Sequence, residues 1–146
     1  MADVVDKATR SRMMANINGK NTVPEMYVRC GLHRLGFRFR VNDRKLKGKP
    51  DIVLQRFSAL VFVNGCFWHG HHCRYFKLPK TRPEFWSAKI ESNRKHDTET
   101  IEILHSEGWR ICIIWECAIR DGNEAELFSR LASWLKGTRK SMEISQ

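Results

Sequence analysis

Val61-Phe62-Val63-Asn64-Gly65-Cys66-Phe67-Trp68-His69-Gly70-His71-His72-Cys73 changes character halfway along. With Ala59 and Leu60 before it, the first part is a nearly unbroken apolar run. Such a run predicts a strand covered on both faces, and so a central one. The stretch from Cys66 to Cys73 holds two cysteines and three histidines. Thiolate and imidazole are the donors zinc prefers, four of them in tetrahedral geometry. The loop can supply three: Cys66, Cys73 and one histidine, which leaves two histidines for other work. Phe67 and Trp68 stand between the candidate ligands. A loop pinned by metal cannot easily turn both inward, so at least one is expected to face out, as at a binding surface. The bland alternative is a pair of buried free thiols with surface histidines.

Upstream, Pro50-Asp51-Ile52-Val53-Leu54 reads as a second strand and Gln55 to Ser58 as a hairpin turn. An antiparallel hairpin sets the mouth of one strand beside the exit of the next, so Asp51 and Asn64 lie side by side. A carboxylate beside a strand-end amide and a free main-chain carbonyl is an all-oxygen site suited to Mg²⁺. Phe37 to Val41 alternates apolar and basic, a strand with one wet face. Thr22-Val23-Pro24-Glu25 is a capping box that opens a helix to Leu35, with Val28, Leu32 and Leu35 on one side and Gly36 as the stop. Glu25 has a ready role there as the reciprocal cap. Residues 1–20, with Lys7, Arg10, Arg12 and Lys20, read as a basic arm; a short helix over Met13, Met14 and Ile17 fits behind Ser11.

Downstream, Lys77 to Arg82 is basic and broken by proline. Pro83 opens a helix expected to run to 107, closed by Gly108, with Trp86, Ile90, Ile101 and Leu104 as its apolar stripe. At 100° per residue Asp97 falls near the middle of that stripe. A carboxylate turned toward a core costs several kcal/mol unless it is paired. His69, left over from the zinc count, is a partner; a lysine or water at the stripe's edge is the plainer one. Trp109 to Trp115 is an apolar strand with Cys112 as a packed thiol. Cys117 follows that strand's end and can approach the loop, whereas Cys30 lies within the first helix, so Cys117 is the best fourth zinc ligand. Glu124 to Lys136 reads as a closing helix with Leu127, Leu131, Trp134 and Leu135 inward. Residues 137–146 are polar and read as a flexible tail.

At 146 residues the chain is long enough for one domain with its own core. No apolar run of about 18 residues predicts a membrane span, and the N-terminus lacks an apolar signal region. Five cysteines without such a signal favour thiols and metal over a disulfide framework. Lys and Arg number 26 against 16 acids, a net charge of +10 that points to a polyanion, nucleic acid first.

The order helix, three strands, helix, strand, helix resembles the core of the restriction-endonuclease-like nucleases, an α/β class with a central mixed sheet. Their signature is Pro-Asp followed by Glu/Asp-x-Lys on the next strand. Pro50-Asp51 matches its first half, whereas the next strand ends Val63-Asn64-Gly65-Cys66 instead. That departure points to one branch. The chain resembles the very short patch repair (Vsr) endonucleases, bacterial enzymes that nick DNA beside a T:G mismatch left by deamination of 5-methylcytosine. The likeness spans roughly residues 5–135. It rests on Ala8-Thr9-Arg10-Ser11, Gly48-Lys49-Pro50-Asp51, Gly65-Cys66-Phe67-Trp68-His69, Glu84-Phe85-Trp86, Gly108-Trp109-Arg110 and Trp115-Glu116-Cys117.

The resemblance implies a role for each matching position. Asp51 and the main-chain carbonyl of Val63 would hold catalytic Mg²⁺. His69 would be the general base, oriented by Asp97, and Glu25 would hold metal-bound water. Cys66, His71, Cys73 and Cys117 would bind a structural zinc. Phe67, Trp68 and Trp86 would wedge into the duplex, with Met14 of the arm and Lys89 nearby. Asn64 joins the catalytic set because some members carry His there, although an amide cannot shuttle a proton. The resemblance also implies a cytoplasmic, nucleoid-associated bacterial monomer, with an arm over 1–20, an endonuclease domain over 21–136 and mismatch-repair proteins as further partners. Two other classes compete: a related nicking endonuclease without mismatch specificity, and a non-catalytic zinc-stapled DNA-binding module, which the absent Lys keeps in play.

Overall fold

The computed structural model describes residues 22–74 and 76–145. Five strands form one sheet in sequence order: β1 (Arg40–Val41), β2 (Ile52–Leu54), β3 (Ala59–Asn64), β4 (Arg110–Trp115) and β5 (Ser141–Ile144). The first three are antiparallel neighbours, and β3, β4 and β5 are parallel, so the sheet is mixed with β3 in the middle. The fold is α/β. Parallel neighbours need a crossover. The helix α2 (Pro83–Ser106) makes the one from β3 to β4. The short α3 (Glu116–Asp121) and then α4 (Glu124–Lys136) make the one from β4 to β5. The helix α1 (Val23–Arg34) precedes the sheet.

Strand residues alternate between faces, and the two cores follow that alternation. Ile52, Leu54, Ala59, Val61, Cys112 and Ile114 pack with Val28 and Leu32 of α1 and with Leu127, Leu131 and Trp134 of α4. Val53, Leu60 and Ile111 pack against Leu104 of α2 on the other face. Thr22 caps α1 by accepting the Glu25 N–H at 3.4 Å. Gly31 lets α1 approach α4: a Cβ there would sit 2.0 Å from the Phe128 ring.

Three expectations need correcting. Residues 137–146 are not a loose tail throughout: Ser141 to Ile144 form β5, with Met142 and Ile144 buried against β4. Sheet and element order therefore gain that strand and the short α3. Leu35 caps α1 and is 52 % exposed rather than inward. The first strand is shorter than expected, Arg40–Val41, because Phe37 turns into the core beside Phe57 at the end of a 3₁₀ turn.

Candidate active site and metal centre

The parallel strands β3 and β4 end together, with Asn64 opposite Trp115. Two residues beyond each end comes a cysteine, Cys66 and Cys117, and both are buried. The loop then folds back on itself: the His71 N–H donates to the Cys66 carbonyl at 2.8 Å and the Cys73 N–H to the His71 carbonyl at 2.9 Å. One ligand atom each from Cys66, His71, Cys73 and Cys117 lies within 4.8 Å of all the others, a cluster that could hold a metal ion. His72 is exposed and outside it. The choice between the histidines is made by Gly70, whose φ of +63° turns the chain where a Cβ would strike Ile90 and Arg94. His71 then stacks on Trp115, rings 4.1 Å apart and 13° from parallel. Burial lowers the pKa of His71, and burial beside the Cys73 and Cys117 thiols pushes Cys66 up to about 12. The Cys66 thiol therefore resists ionising without a cation beside it. Arg74 clamps the loop to α3 through Asp121, at 3.0 and 2.7 Å.

At the other side of β3, the Asp51 carboxylate accepts the Val63 N–H at 2.6 Å. The register that pairs Ile52 with Val61, carried two residues on, sets Pro50 opposite Val63. Proline has no N–H, so it offers the Val63 carbonyl no ladder donor. Burial, then the neighbouring Glu25 carboxylate, push Asp51 up to about 7 against the pull of the Val63 N–H. Glu25 is itself 5 % exposed and meets Arg29 at 3.3 Å. Two carboxyls so close and so shielded from water suit a divalent cation. Asn64, 8 % exposed, ends the same strand.

His69 and Asp97 meet, with Nδ1 and Oδ2 2.5 Å apart and each side chain about 30 % exposed (28 % and 31 %). The helical phase that turns Asp97 inward is that of Trp86, Ile90 and Leu104, as expected from the stripe. The rings of Phe67, Trp68 and Trp86 form one cluster, with centroids 5.1 to 5.8 Å apart. Trp68 is 51 % exposed, while Phe67 and Trp86 are half-buried. Lys89 is exposed on α2. Met14 and the arm lie outside the described residues.

Some neighbours escaped the reading of the sequence. Asn93 donates to the Trp68 carbonyl at 2.8 Å, and Arg94 donates to the Gly70 carbonyl. Asn93 follows Ile90 by three and precedes Asp97 by four, so the stripe itself could have found it. Arg29, one turn after Glu25, was legible as an i,i+4 partner.

A family model described as "DNA mismatch endonuclease Vsr" matches residues 2–75. A relative named "DNA mismatch endonuclease Vsr" from Escherichia coli (strain K12) is 44 % identical over 99 % of this chain and 94 % of its own length. A type II nicking enzyme, V.XorIIP, from Xanthomonas oryzae pv. oryzae is 45 % identical over 83 % of this chain and 89 % of its own length. Another, V.NmeAIP from Neisseria meningitidis, is 40 % identical over 83 % of this chain and 86 % of its own length.

Proposed function

The chain belongs to the Vsr family of DNA mismatch endonucleases, and from that premise we propose that it nicks one strand of duplex DNA beside a T:G mismatch, with Mg²⁺ as the catalytic ion and zinc as a structural one. The observation that carries this reading is the pairing of His69 with Asp97 just beyond the end of β3, the strand whose Val63 N–H holds Asp51 at the mouth of β2.

Phosphodiester hydrolysis needs an activated water, neutralisation of phosphate charge and help for the departing 3′-oxygen. Asp97 accepts the Nδ1–H of His69, which leaves Nε2 unprotonated and able to take a proton from water. Asp51 and the carbonyl of Val63 would hold Mg²⁺, with Glu25 placed to hold water beside it. When bound, the ion neutralises the phosphate and stabilises the leaving oxygen. Asn64 ends β3 beside this site, and its amide moves no proton. Cys66, His71, Cys73 and Cys117 would hold zinc, which takes thiolate and imidazole donors of this kind. With all four donors supplied by the protein, Cys66 and Cys117 would thereby tie together the ends of β3 and β4, a structural role. Phe67, Trp68 and Trp86 enter the base stack next to the mismatch, with Met14 and Lys89 nearby.

The helix, sheet and helix order supports a restriction-endonuclease-like core that begins near residue 21 and, with β5, reaches Ile144, preceded by a basic arm over residues 1–20. Membership of a nuclease family removes the non-catalytic module from contention. The two nicking enzymes described above name a nick but no mismatch, which keeps one second reading: a nick without mismatch preference. One labelled T:G duplex and its fully paired counterpart, each with and without Mg²⁺, separate these. We expect a single-strand nick in the T:G duplex only, and only with Mg²⁺. Equal nicking of both duplexes would establish the second reading.

A further inference from the structure

The loop between β1 and β2 is more ordered than its composition requires. Arg44, Lys45, Lys47 and Lys49 are all exposed, yet the backbone that carries them is pinned at several points. The Asp43 side chain accepts the Lys45 N–H at 2.9 Å, and the Leu46 carbonyl accepts the Lys49 N–H at 3.1 Å. Leu46 packs against the core under α2. Gly48, at φ +76°, lies flat on α2, where a Cβ would come within 2.3 Å of Thr100 Cγ2. The result is a concavity of about 640 Å³ that the four cations share with His96, with Glu107 as its only lining acid among the described residues. An ordered backbone that presents side chains of one sign costs repulsion unless an anion faces it. The loop also runs directly into Pro50 and Asp51, and the Asp51 carbonyl accepts the Asn42 N–H at 3.2 Å.

We propose that this loop is a second DNA-gripping element, which holds backbone phosphates at a distance from the aromatic cluster. Resting on the endonuclease reading above, it extends the substrate footprint. The helix α2 carries Trp86 near its start and borders the concavity with His96 and Ile103. At 1.5 Å per residue those positions lie about 15–25 Å further along the helix axis. Phosphates repeat every 3.4 Å or so along one strand. A duplex opened at the aromatic cluster would thus meet the loop about four to seven phosphates away.

The test is equilibrium binding of a T:G duplex and a paired duplex over a salt series, with Mg²⁺ omitted so that no strand is cut. The double variant Lys45→Ala/Lys47→Ala is compared with Lys136→Ala/Lys140→Ala. The second pair removes the same charge from exposed positions beside β5, at the opposite edge of the sheet. The loop variant should bind both duplexes about tenfold more weakly at moderate salt. Its slope of log affinity against log salt should be shallower by about 1 to 2, since each lost phosphate contact is worth about 0.9. The far-edge variant should keep the parental slope. Equal slopes for the loop variant and the parent, equal losses in the two variants, or a loss confined to the T:G duplex would each overturn the proposal. Failure of the endonuclease reading would show separately, as a parental enzyme that does not nick.

Discussion

Asp51 sits where its charge is least welcome in the metal-free protein: shielded from water, beside Glu25, and raised to about 7 from an ordinary 3.8. Between those values the folded chain holds that proton more tightly than the unfolded chain does. The stability the group contributes therefore falls as pH rises through the window from about 4 to about 7. Without added Mg²⁺, Asp51→Asn should melt above the parent at pH 8, and the gap should close as pH drops toward 4. A gap that does not change with pH would mean the carboxyl is not held in its protonated form. The pairing of His69 with Asp97 makes a second claim at this scale. Loss of a general base costs roughly 10²–10⁴ in rate, so His69→Ala should lose at least tenfold in single-turnover nicking. Asp97→Asn should lose rate as well, yet add little when combined with His69→Ala, because residues that act as one unit are non-additive. Fully additive losses would show that the two act independently.

At the scale of elements, the loop that carries Cys66, His71 and Cys73 owes its shape to where two parallel strands stop. If Cys66, His71, Cys73 and Cys117 hold zinc, metal analysis of purified His71→Ala should show it largely lost, while His72→Ala should retain about one zinc per chain. Full retention in His71→Ala would sink the assignment. The loop also holds Trp68 half out of the protein, in ring contact with Phe67 and Trp86. An inserted side chain spends a few kcal/mol per step on unstacking, and a mismatched step opens more easily than a paired one. Trp68→Ala should thus weaken binding to a T:G duplex at least tenfold more than to a paired duplex, with little change in Tm. A core role predicts the opposite: a cavity cost of about 3–5 kcal/mol and equal loss on both substrates. These features differed in how far sequence could reveal them. Asp97 was legible because helical phase alone turns it inward. His71 was not separable from His72 by spacing, since the left-handed turn at Gly70 and the stack on Trp115 make the choice.

Across the whole molecule, long apolar runs and well-capped helices were the legible parts. The expected bounds of the closing helix, Glu124 to Lys136, coincide with those observed. The strand β5 escaped because Ser141-Met142-Glu143-Ile144 is short and sits in a polar stretch. Its two apolar residues have something to bury against only once β4 exists, and Glu143 is held there by the Trp115 indole N–H at 2.9 Å. The separation between binding and chemistry is also a property of the whole. On the proposed reading, the cations that face the duplex supply most of the affinity for DNA, a term that falls with salt and is shared among several side chains of a chain with net charge +10. On the same reading, chemistry depends on one corner of the sheet. The most direct measurement is therefore made on Asp51→Ala, by nicking and binding of the same labelled T:G duplex in Mg²⁺. The account predicts nicking reduced below detection with affinity within a few-fold of the parent. Nicking at close to the parental rate would contradict it and move the reacting centre away from Asp51.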